Sequence, residues 1–184
     1  PLREDGLPSF RLEDLTAANG ISHTAAHDAL SDVHATIALA RLIKERQPKL
    51  YDYVLHHRDK RSVLAQLDIA GMKPVLHVSG MFGARRHNIA LVVPLAAHPV
   101  NKNEIICFDL GANPRMLFDL AVEQLQELLY TRTEDLPEGT PRLGLKSIHI
   151  NRCPIVLTPK MADPATAQRL GISGDQCRQH LEAL

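Results

Sequence analysis

The chain has no tryptophan, and aromatic residues make up only 4% of its 184 residues. Aromatic rings are the usual platforms on which single-stranded nucleic acids stack their bases, so any stacking of this kind must be sparse here. Only three cysteines occur, Cys107, Cys153 and Cys177, and they lie far apart without C-x-x-C spacing. This pattern argues against a disulfide framework and against a zinc site. We predict three buried thiols.

Long hydrophobic runs are also absent. No apolar stretch approaches the ~20 residues that a membrane span requires, and no charged and then apolar leader opens the chain. We therefore expect a soluble, cytoplasmic protein without membrane association. With 45% hydrophobic residues, the chain can bury one ordinary domain or two small ones.

An excess of charge of either sign is absent as well, since 21 basic residues balance 21 acidic ones. The distribution is less even than the total. Residues 1–47 hold 5 basic and 7 acidic side chains, residues 48–110 hold 8 and 5, and residues 111–184 hold 8 and 9. The modestly basic middle segment would attract a polyanion, and the acidic amino-terminal segment beside it would suit a site that binds metal cations.

One stretch contains a histidine and an aspartate whose spacing is compatible with a catalytic site. His27 and Asp32 lie five positions apart at the start of a helix predicted from about Asp28 to Gln47. Five residues span about 140° around a helix, so the two side chains would not share one face in mid-helix. If His27 lies on the loop or first turn at the start of the helix and Asp32 points inward one turn later, both could reach one metal-bound water. This arrangement is typical of a general base beside a metal ligand.

The same long helix has an apolar face that the helices of residues 1–47 cannot cover by themselves. Leu30, Val33 and Ile37 form an apolar stripe, and Pro48 ends the helix. Two helices cannot bury such a stripe, so either a sheet is missing upstream or the second half covers it. We place a domain boundary at Pro48. Because the chain begins at Pro1 without a Met, we expect it to be the middle of a longer protein.

The part from residue 48 onward combines helices with short strands. The pattern is helical from about 50 to 67, and Ser9 and Asp119 are predicted to cap helices elsewhere in the chain. Five short strands with inserted helices indicate an α+β fold built on a small open barrel, which favours binding over chemistry. The strands are predicted at 73–80, 88–96, 104–110, 146–151 and 154–157.

Longer motifs resemble one known family. The phrase around His27 and Asp32, with Thr36 on the same helix, resembles the last motif of the DEDDh, DnaQ-like 3′→5′ exonucleases, and the chain as a whole is similar to the bacterial exodeoxyribonuclease I family within that group. The stretches that carry the resemblance are 5–15 (DGLPSFRLEDL), Asn19-Gly20-Ile21, 27–36, Lys73-Pro74, 77–84 (HVSGMFGA), His149-Ile150-Asn151 and 169–172.

The resemblance implies a fold and an activity. Residues 1–47 would be the C-terminal helical part of an RNase H-like exonuclease domain, and residues 48–184 an SH3-like small β-barrel with inserted helices. The family removes mononucleotides from the 3′ end of single-stranded DNA in DNA repair and recombination, with two Mg²⁺ ions held by four acids and one histidine. The implied roles are general base for His27, metal ligand for Asp32 and substrate contact for Arg11.

The chain carries only one of the four acids, because the other motifs precede Pro1 in the family. A lone Asp32 cannot hold two Mg²⁺ ions, which need several oxygens each, so we expect the isolated chain to be inactive and not to hold the metal by itself.

The resemblance further implies that the barrel binds single-stranded DNA and the C-terminal tail of single-strand DNA-binding protein. We nominate Lys73 for the tail, and we expect a monomer. The candidates for DNA contact are Lys60 with its neighbours Arg58 and Arg61, Arg85, Arg86, Asn103, His149, Asn151 and Arg152.

Two other interpretations compete with a part of an exonuclease. A stand-alone single-stranded-DNA-binding module would not need a histidine and an aspartate such as His27 and Asp32 at the start of a helix. A histidine-rich metal-binding protein fits poorly, because the ten histidines are scattered and only His56 and His57 are adjacent. Adjacent histidines lack the i, i+4 spacing that places two metal ligands on one helix face.

Overall fold

A computed structural model describes residues 1–23, 28–132 and 135–184, and the amino-terminal third of the chain is helical in it. The long predicted helix is confirmed: it begins after Asp28, whose carboxylate accepts a hydrogen bond from the amide of Ser31. Pro48 ends it by opening the next helix at its first position. The four helices are α1 (Leu12–Ala18), α2 (Ala29–Arg46), α3 (Pro48–His56) and α4 (Lys60–Gln66).

The five predicted strands form one antiparallel sheet in the order β4-β3-β2-β1-β5. A register shift between Pro94 and Ala96 interrupts the pairing of the long second strand with the third, and such bulges increase local twist. The strands are β1 (Val75–Val78), β2 (Ile89–Ala97), β3 (Glu104–Asp109), β4 (Leu145–His149) and β5 (Ile155–Leu157); the later helices are α5 (Met116–Asp119), α6 (Val122–Tyr130), α7 (Pro164–Arg169) and α8 (Gly174–Glu182).

Both faces of the sheet are packed, because successive strand residues point to opposite sides. On one side, Val92 and Cys107 lie in a cluster with Val63 of α4. On the other, their neighbours Val93 and Phe108 lie in a cluster that contains Cys177 of α8. The sheet is thus held between an amino-terminal and a carboxy-terminal helix.

The apolar stripe of α2 remains uncovered by the described residues. Leu30 is 65% exposed, Val33 52% and Ile37 43%. Of the two alternatives that the sequence left open, cover from the second half of the chain is therefore the wrong one. No helix among the described residues is both long and apolar enough to cross a membrane.

Two predicted helix caps are wrong, and both errors have a local cause. The Ser9 hydroxyl bonds the carboxylate of Asp14, and Arg11 occupies the cap position of α1. Asp119 is the last residue of α5 and does not cap α6, where the Gln124 side chain takes up the free amide at the helix start. A short extra helix therefore displaced the predicted cap.

The prediction of three buried thiols holds for two of them. Cys107 and Cys177 are buried, and burial raises the pKa of Cys107 to about 12. Cys153 is exposed in the turn between β4 and β5, where its backbone has a φ of +47°. Burial was wrongly predicted there because the turn, unlike a strand, offers no face to the core.

Candidate nucleic-acid interface

Three cavities that share lining residues lie on the sheet, the first on the face that carries Phe82 and the last on the opposite face, beside Leu91 and Cys177. The first, of about 420 Å³, is lined by residues of β1, β4 and the turns beside them, including His77, Phe82, Lys146, His149 and Arg152. Its walls combine a phenyl ring, two imidazoles and two cationic side chains. A mostly apolar lining with a few polar and charged groups is typical of ligand-binding pockets.

The second and third cavities continue the first. The second, of about 250 Å³, shares Phe82 and Lys146 with the first and adds Arg86, Asp109 and Arg142. The third, of about 370 Å³, shares Arg86 with the second. The three cavities therefore form one track. Among the described residues, six cationic side chains but only one carboxylate, Asp109, line it: Arg85, Arg86, Arg142, Lys146, Arg152 and Arg169.

The carboxylate of the track is fully engaged within the protein. The two terminal guanidinium nitrogens of Arg86 donate to the two carboxylate oxygens of Asp109, Nη2 to Oδ1 at 2.9 Å. The Gly111 amide donates to the same carboxylate at 2.9 Å. The side chain of Asp109 is 6% exposed and that of Arg86 38%, and this hydrogen-bonded carboxylate raises the pKa of Arg86. Arg86 therefore keeps its charge and a fixed position.

Lys146 is a cation of the track without an ion pair of its own among the described residues. It is half-buried, and its ammonium lies 5.9 Å from the centre of the Phe82 ring. Burial lowers the pKa of Lys146 and the charge of Arg142 lowers it further, while the carboxylate of Asp109 offsets part of this effect. An anion brought by a ligand would favour the charged form of this lysine.

His77 lies in the wall of the first cavity and is 7% exposed. One ring nitrogen, Nδ1, lies 3.0 Å from the carbonyl oxygen of Ile155 on the neighbouring strand. Burial lowers the pKa of His77, and the bond to Ile155 offsets part of this effect. His77 therefore stays neutral in the folded protein at a pH where the unfolded chain already takes up a proton.

This pKa predicts a loss of stability in acid. As the pH falls below about 6.5, His77 becomes protonated in the unfolded state but stays neutral in the folded state. The free energy of unfolding therefore falls by at most about 1.4 kcal/mol per pH unit. Urea denaturation at pH 7, 6 and 5 should show a shallower decrease for His77→Gln than for the wild type. His34→Gln, an exposed substitution on α2, should keep the wild-type decrease. Parallel curves for wild type and His77→Gln would contradict the assignment.

The structure brings several of the predicted DNA-binding residues together. Lys60 donates to the side-chain oxygen of Asn103 at 2.6 Å, although the two are 43 positions apart. His149 lies 3.4 Å from Glu104, the residue after Asn103, across the β3–β4 pairing. Asn151 and Arg152 are exposed in the following turn. These residues share one end of the sheet, while Arg85 lies at the far end of the track.

Lys73, nominated for the protein partner, lies outside the track. Its ammonium is 2.9 Å from Asp68, and its side chain is 73% exposed. The bond with Asp68 raises the pKa of Lys73. A ligand carboxylate would have to compete with Asp68 for this cation.

The predicted catalytic residues are described only in part. His27 lies outside the described residues. Asp32 is in the first turn of α2, and its Oδ1 lies 2.7 Å from Nε2 of His23, a nearly buried ring that the sequence did not single out. Arg11 is exposed and lines a separate cavity with Arg3.

Asp32 alone does not make a metal site. In the described ranges, no three His, Cys, Asp or Glu side chains are grouped so that they could hold a metal ion. The described residues therefore do not fit a two-magnesium centre, and its other oxygens would have to come from elsewhere.

Three central residues of the track escaped the sequence analysis: Arg142, Lys146 and Asp109. A signal for Lys146 did exist, because it shares one strand face with Ile148 and Ile150, both 1% exposed. A lysine on the buried face of a strand needs a reason. Asp109 and Arg142 gave no comparable signal, since their partners lie far away in the sequence.

The architecture places the protein in the class of SH3-like domains with inserted helices, here with a cation-lined track along the sheet. Comparison with known families agrees: residues 58–184 match the exonuclease I SH3-like domain. The chain belongs to that family.

Relatives and solved structures extend the match over the whole chain. Exodeoxyribonuclease I of Escherichia coli is 48% identical over 184 residues, which is all of this chain but only 38% of the relative. The crystal structure of E. coli exonuclease I in complex with a dA16 oligonucleotide superposes with a TM-score of 0.96 at 48% identity, over 100% of this chain and 39% of that one. An ExoI/SSB-Ct complex superposes with a TM-score of 0.91 at 47% identity, with the same coverage. The chain thus spans less than half the length of the relatives that it matches.

Proposed function

We propose that this chain is part of a 3′→5′ exonuclease that degrades single-stranded DNA, and that its SH3-like part holds the strand. The observation that carries the proposal is the track of adjoining cavities, lined among the described residues by six cations and one internally paired carboxylate. A positive groove with few aromatic rings suits a phosphate backbone better than a sequence of bases. The oligonucleotide complex of the E. coli relative supports the same ligand.

The catalytic part of the proposal rests on the resemblance in sequence. His27 would act as general base, Asp32 as one acidic metal ligand and Arg11 as a substrate contact. The intact protein would supply the remaining acids for two Mg²⁺ ions. The exposed stripe of α2 supports this division, because an apolar helix face of this kind needs a sheet to pack against. The boundary at residue 48 is part of the proposal.

A direct experiment separates the exonuclease from the stand-alone binding module. The 184-residue chain should bind a fluorescent dT oligonucleotide, with an affinity that falls as salt rises, and should release no mononucleotides with Mg²⁺ present. The intact protein should release them from the 3′ end. A pure chain that degrades DNA would contradict the missing-ligand argument, and an intact protein that binds without degrading would favour the binding module.

Arg85 provides a test of the track that spares the fold. Arg85→Ala should weaken binding and reduce the slope of log affinity against log salt by about 0.7, the value for one phosphate contact on a single strand. The matched control is Arg178→Ala on α8, whose side chain is 69% exposed and pairs with Asp175. An unchanged slope would remove Arg85 from the interface. Combined with Arg86→Ala, the reduction should reach at most about 1.4, with the fold monitored because Arg86 holds Asp109.

We also propose the C-terminal tail of single-strand DNA-binding protein as a partner, through Lys73. The ExoI/SSB-Ct complex supports a site for such a ligand in this family. The role in DNA repair and recombination and the cytoplasmic location follow from the proposed substrate and remain predictions.

A further inference from the structure

One short polar contact joins the connector between α1 and α2 to the first turn of α2. Nε2 of His23 lies 2.7 Å from Oδ1 of Asp32, nine positions further along the chain. An ionised carboxylate has only acceptor sites, so the imidazole is the donor and its proton lies on Nε2. Hydrogen bonds to a charged acceptor at this distance are among the strong ones in proteins. The contact therefore orients both side chains.

The way in which α1 ends brings His23 to this position. Gly20 has a φ of +66°, and its amide donates to the carbonyl oxygen of Ala17 at 3.3 Å. The next amide, that of Ile21, donates to the carbonyl oxygen of Thr16 at 2.9 Å. This pair of bonds, with a left-handed glycine between them, is the Schellman arrangement that ends a helix. Thr16 is 1% exposed, so the turn that leads to His23 is packed against the protein.

The histidine of this pair is buried, whereas the aspartate is not. The side chain of His23 is 5% exposed and that of Asp32 is 43% exposed. The other ring nitrogen, Nδ1, is buried without a hydrogen-bond partner among the described residues. Loss of the bond to Asp32 would therefore leave two buried nitrogens unpaired, which is costly. A carboxylate has a second oxygen, so Asp32 can bind another group while His23 holds the first.

We propose that His23 is a positioning residue: its bond to Oδ1 fixes the direction in which Asp32 presents its second carboxylate oxygen. The inference rests on the proposed function, in which Asp32 is one of the acids of the catalytic centre. An aspartate in the first turn of a helix can otherwise turn toward the free backbone amides at the helix start and accept from them. The bond from His23 opposes this alternative.

The first test needs no activity and follows the imidazole itself. At neutral pH, long-range ¹H–¹⁵N spectra of the 184-residue chain should show the His23 ring with its proton on Nε2 alone. Asp32→Ala should abolish this preference, and Asp32→Asn should keep it because the amide oxygen still accepts. His77 is the internal control: its Nδ1 faces the carbonyl oxygen of Ile155, so its proton should lie on Nδ1 in all three proteins. Any other state of His23 in the wild type, or no response to Asp32→Ala, would overturn the proposal.

The second test measures catalysis by the intact protein. His23→Phe keeps a buried ring but removes the donor, and it should lower kcat for mononucleotide release by about 10–100-fold. KM for the single strand should change little, because the lost interaction does not contact the strand. His23→Gln retains a donor and should recover most of the rate. In the Asp32→Ala background, His23→Phe should have no further effect, since residues that act as a unit are not additive.

The outcomes separate this inference from the function on which it rests. A wild-type kcat for His23→Phe beside an inactive Asp32→Ala would remove the positioning role alone. A wild-type kcat for Asp32→Ala would instead contradict the proposed catalytic role of Asp32. An equal loss in His23→Phe and His23→Gln, or effects of His23→Phe and Asp32→Ala that add, would indicate packing of the ring and refute the role of the bond. Urea midpoints measured beside the rates show that each variant is folded.

Discussion

Replacing His27 by Ala in the intact protein should slow the release of mononucleotides by about 10²–10⁴, the contribution of a positioned general base. The affinity for single-stranded DNA should change little, since the proposed track is built from the sheet and its turns rather than from the segment around His27. Steady-state release of nucleotides from a 3′-labelled strand, measured beside anisotropy binding, separates the two effects. A rate within twofold of the wild type would end the assignment of His27.

His34→Ala is the matched control for this experiment. His34 follows Asp32 on α2 and is exposed, so its removal tests whether any histidine near the helix start affects the rate. We expect a wild-type rate for His34→Ala. A similar loss in both variants would indicate a general effect on the helix and not proton transfer.

Local patterns allowed the elements to be predicted from the sequence. The five strands follow from alternating β-branched and apolar residues, and α2 follows from its apolar period, from Asp28 before it and from Pro48 after it. Where a cap was predicted wrongly, as at Asp119, two local signals competed within a few residues. The error missed the short helix α5 and moved the start of α6, and the order of the predicted elements is unchanged.

The track could not be predicted in the same way, because its contacts join distant positions. Lys60 and Asn103 were both proposed as DNA contacts, but nothing local indicated that they bond each other. Arg86 was proposed as a DNA contact without its partner Asp109, 23 positions away. The antiparallel pairing decides which cations become neighbours, and a single sequence does not contain that register. The resemblance in sequence indicated the family. Only the structure showed which cations of the track are neutralised by a carboxylate.

Replacing Phe108 by Ala should have the largest effect on stability, about 3–5 kcal/mol. Phe108 is 0% exposed on β3 and packs with Val93 and Leu110. With a total stability of about 5–15 kcal/mol for a domain, this loss would leave many molecules unfolded under mild denaturing conditions. Urea denaturation followed by circular dichroism measures it. Phe118→Ala, whose ring is 62% exposed on α5, should cost no more than about 0.5 kcal/mol.

A double-mutant cycle connects this core to the track, because Phe108 lies against Gly144, which is two residues from both Arg142 and Lys146. A Cβ added at Gly144 would lie 2.7 Å from two atoms of the Phe108 ring and 2.9 Å from the Cβ of Ala112. Gly144→Ala alone should therefore cost about 1–3 kcal/mol by overpacking. In the Phe108→Ala background most of the clash disappears, and the two changes should deviate from additivity by at least about 0.5 kcal/mol. Additive effects would show that the ring and the loop do not touch. Contacts other than the Phe108 ring would then have to fix the position of Gly144 and the spacing between Arg142 and Lys146.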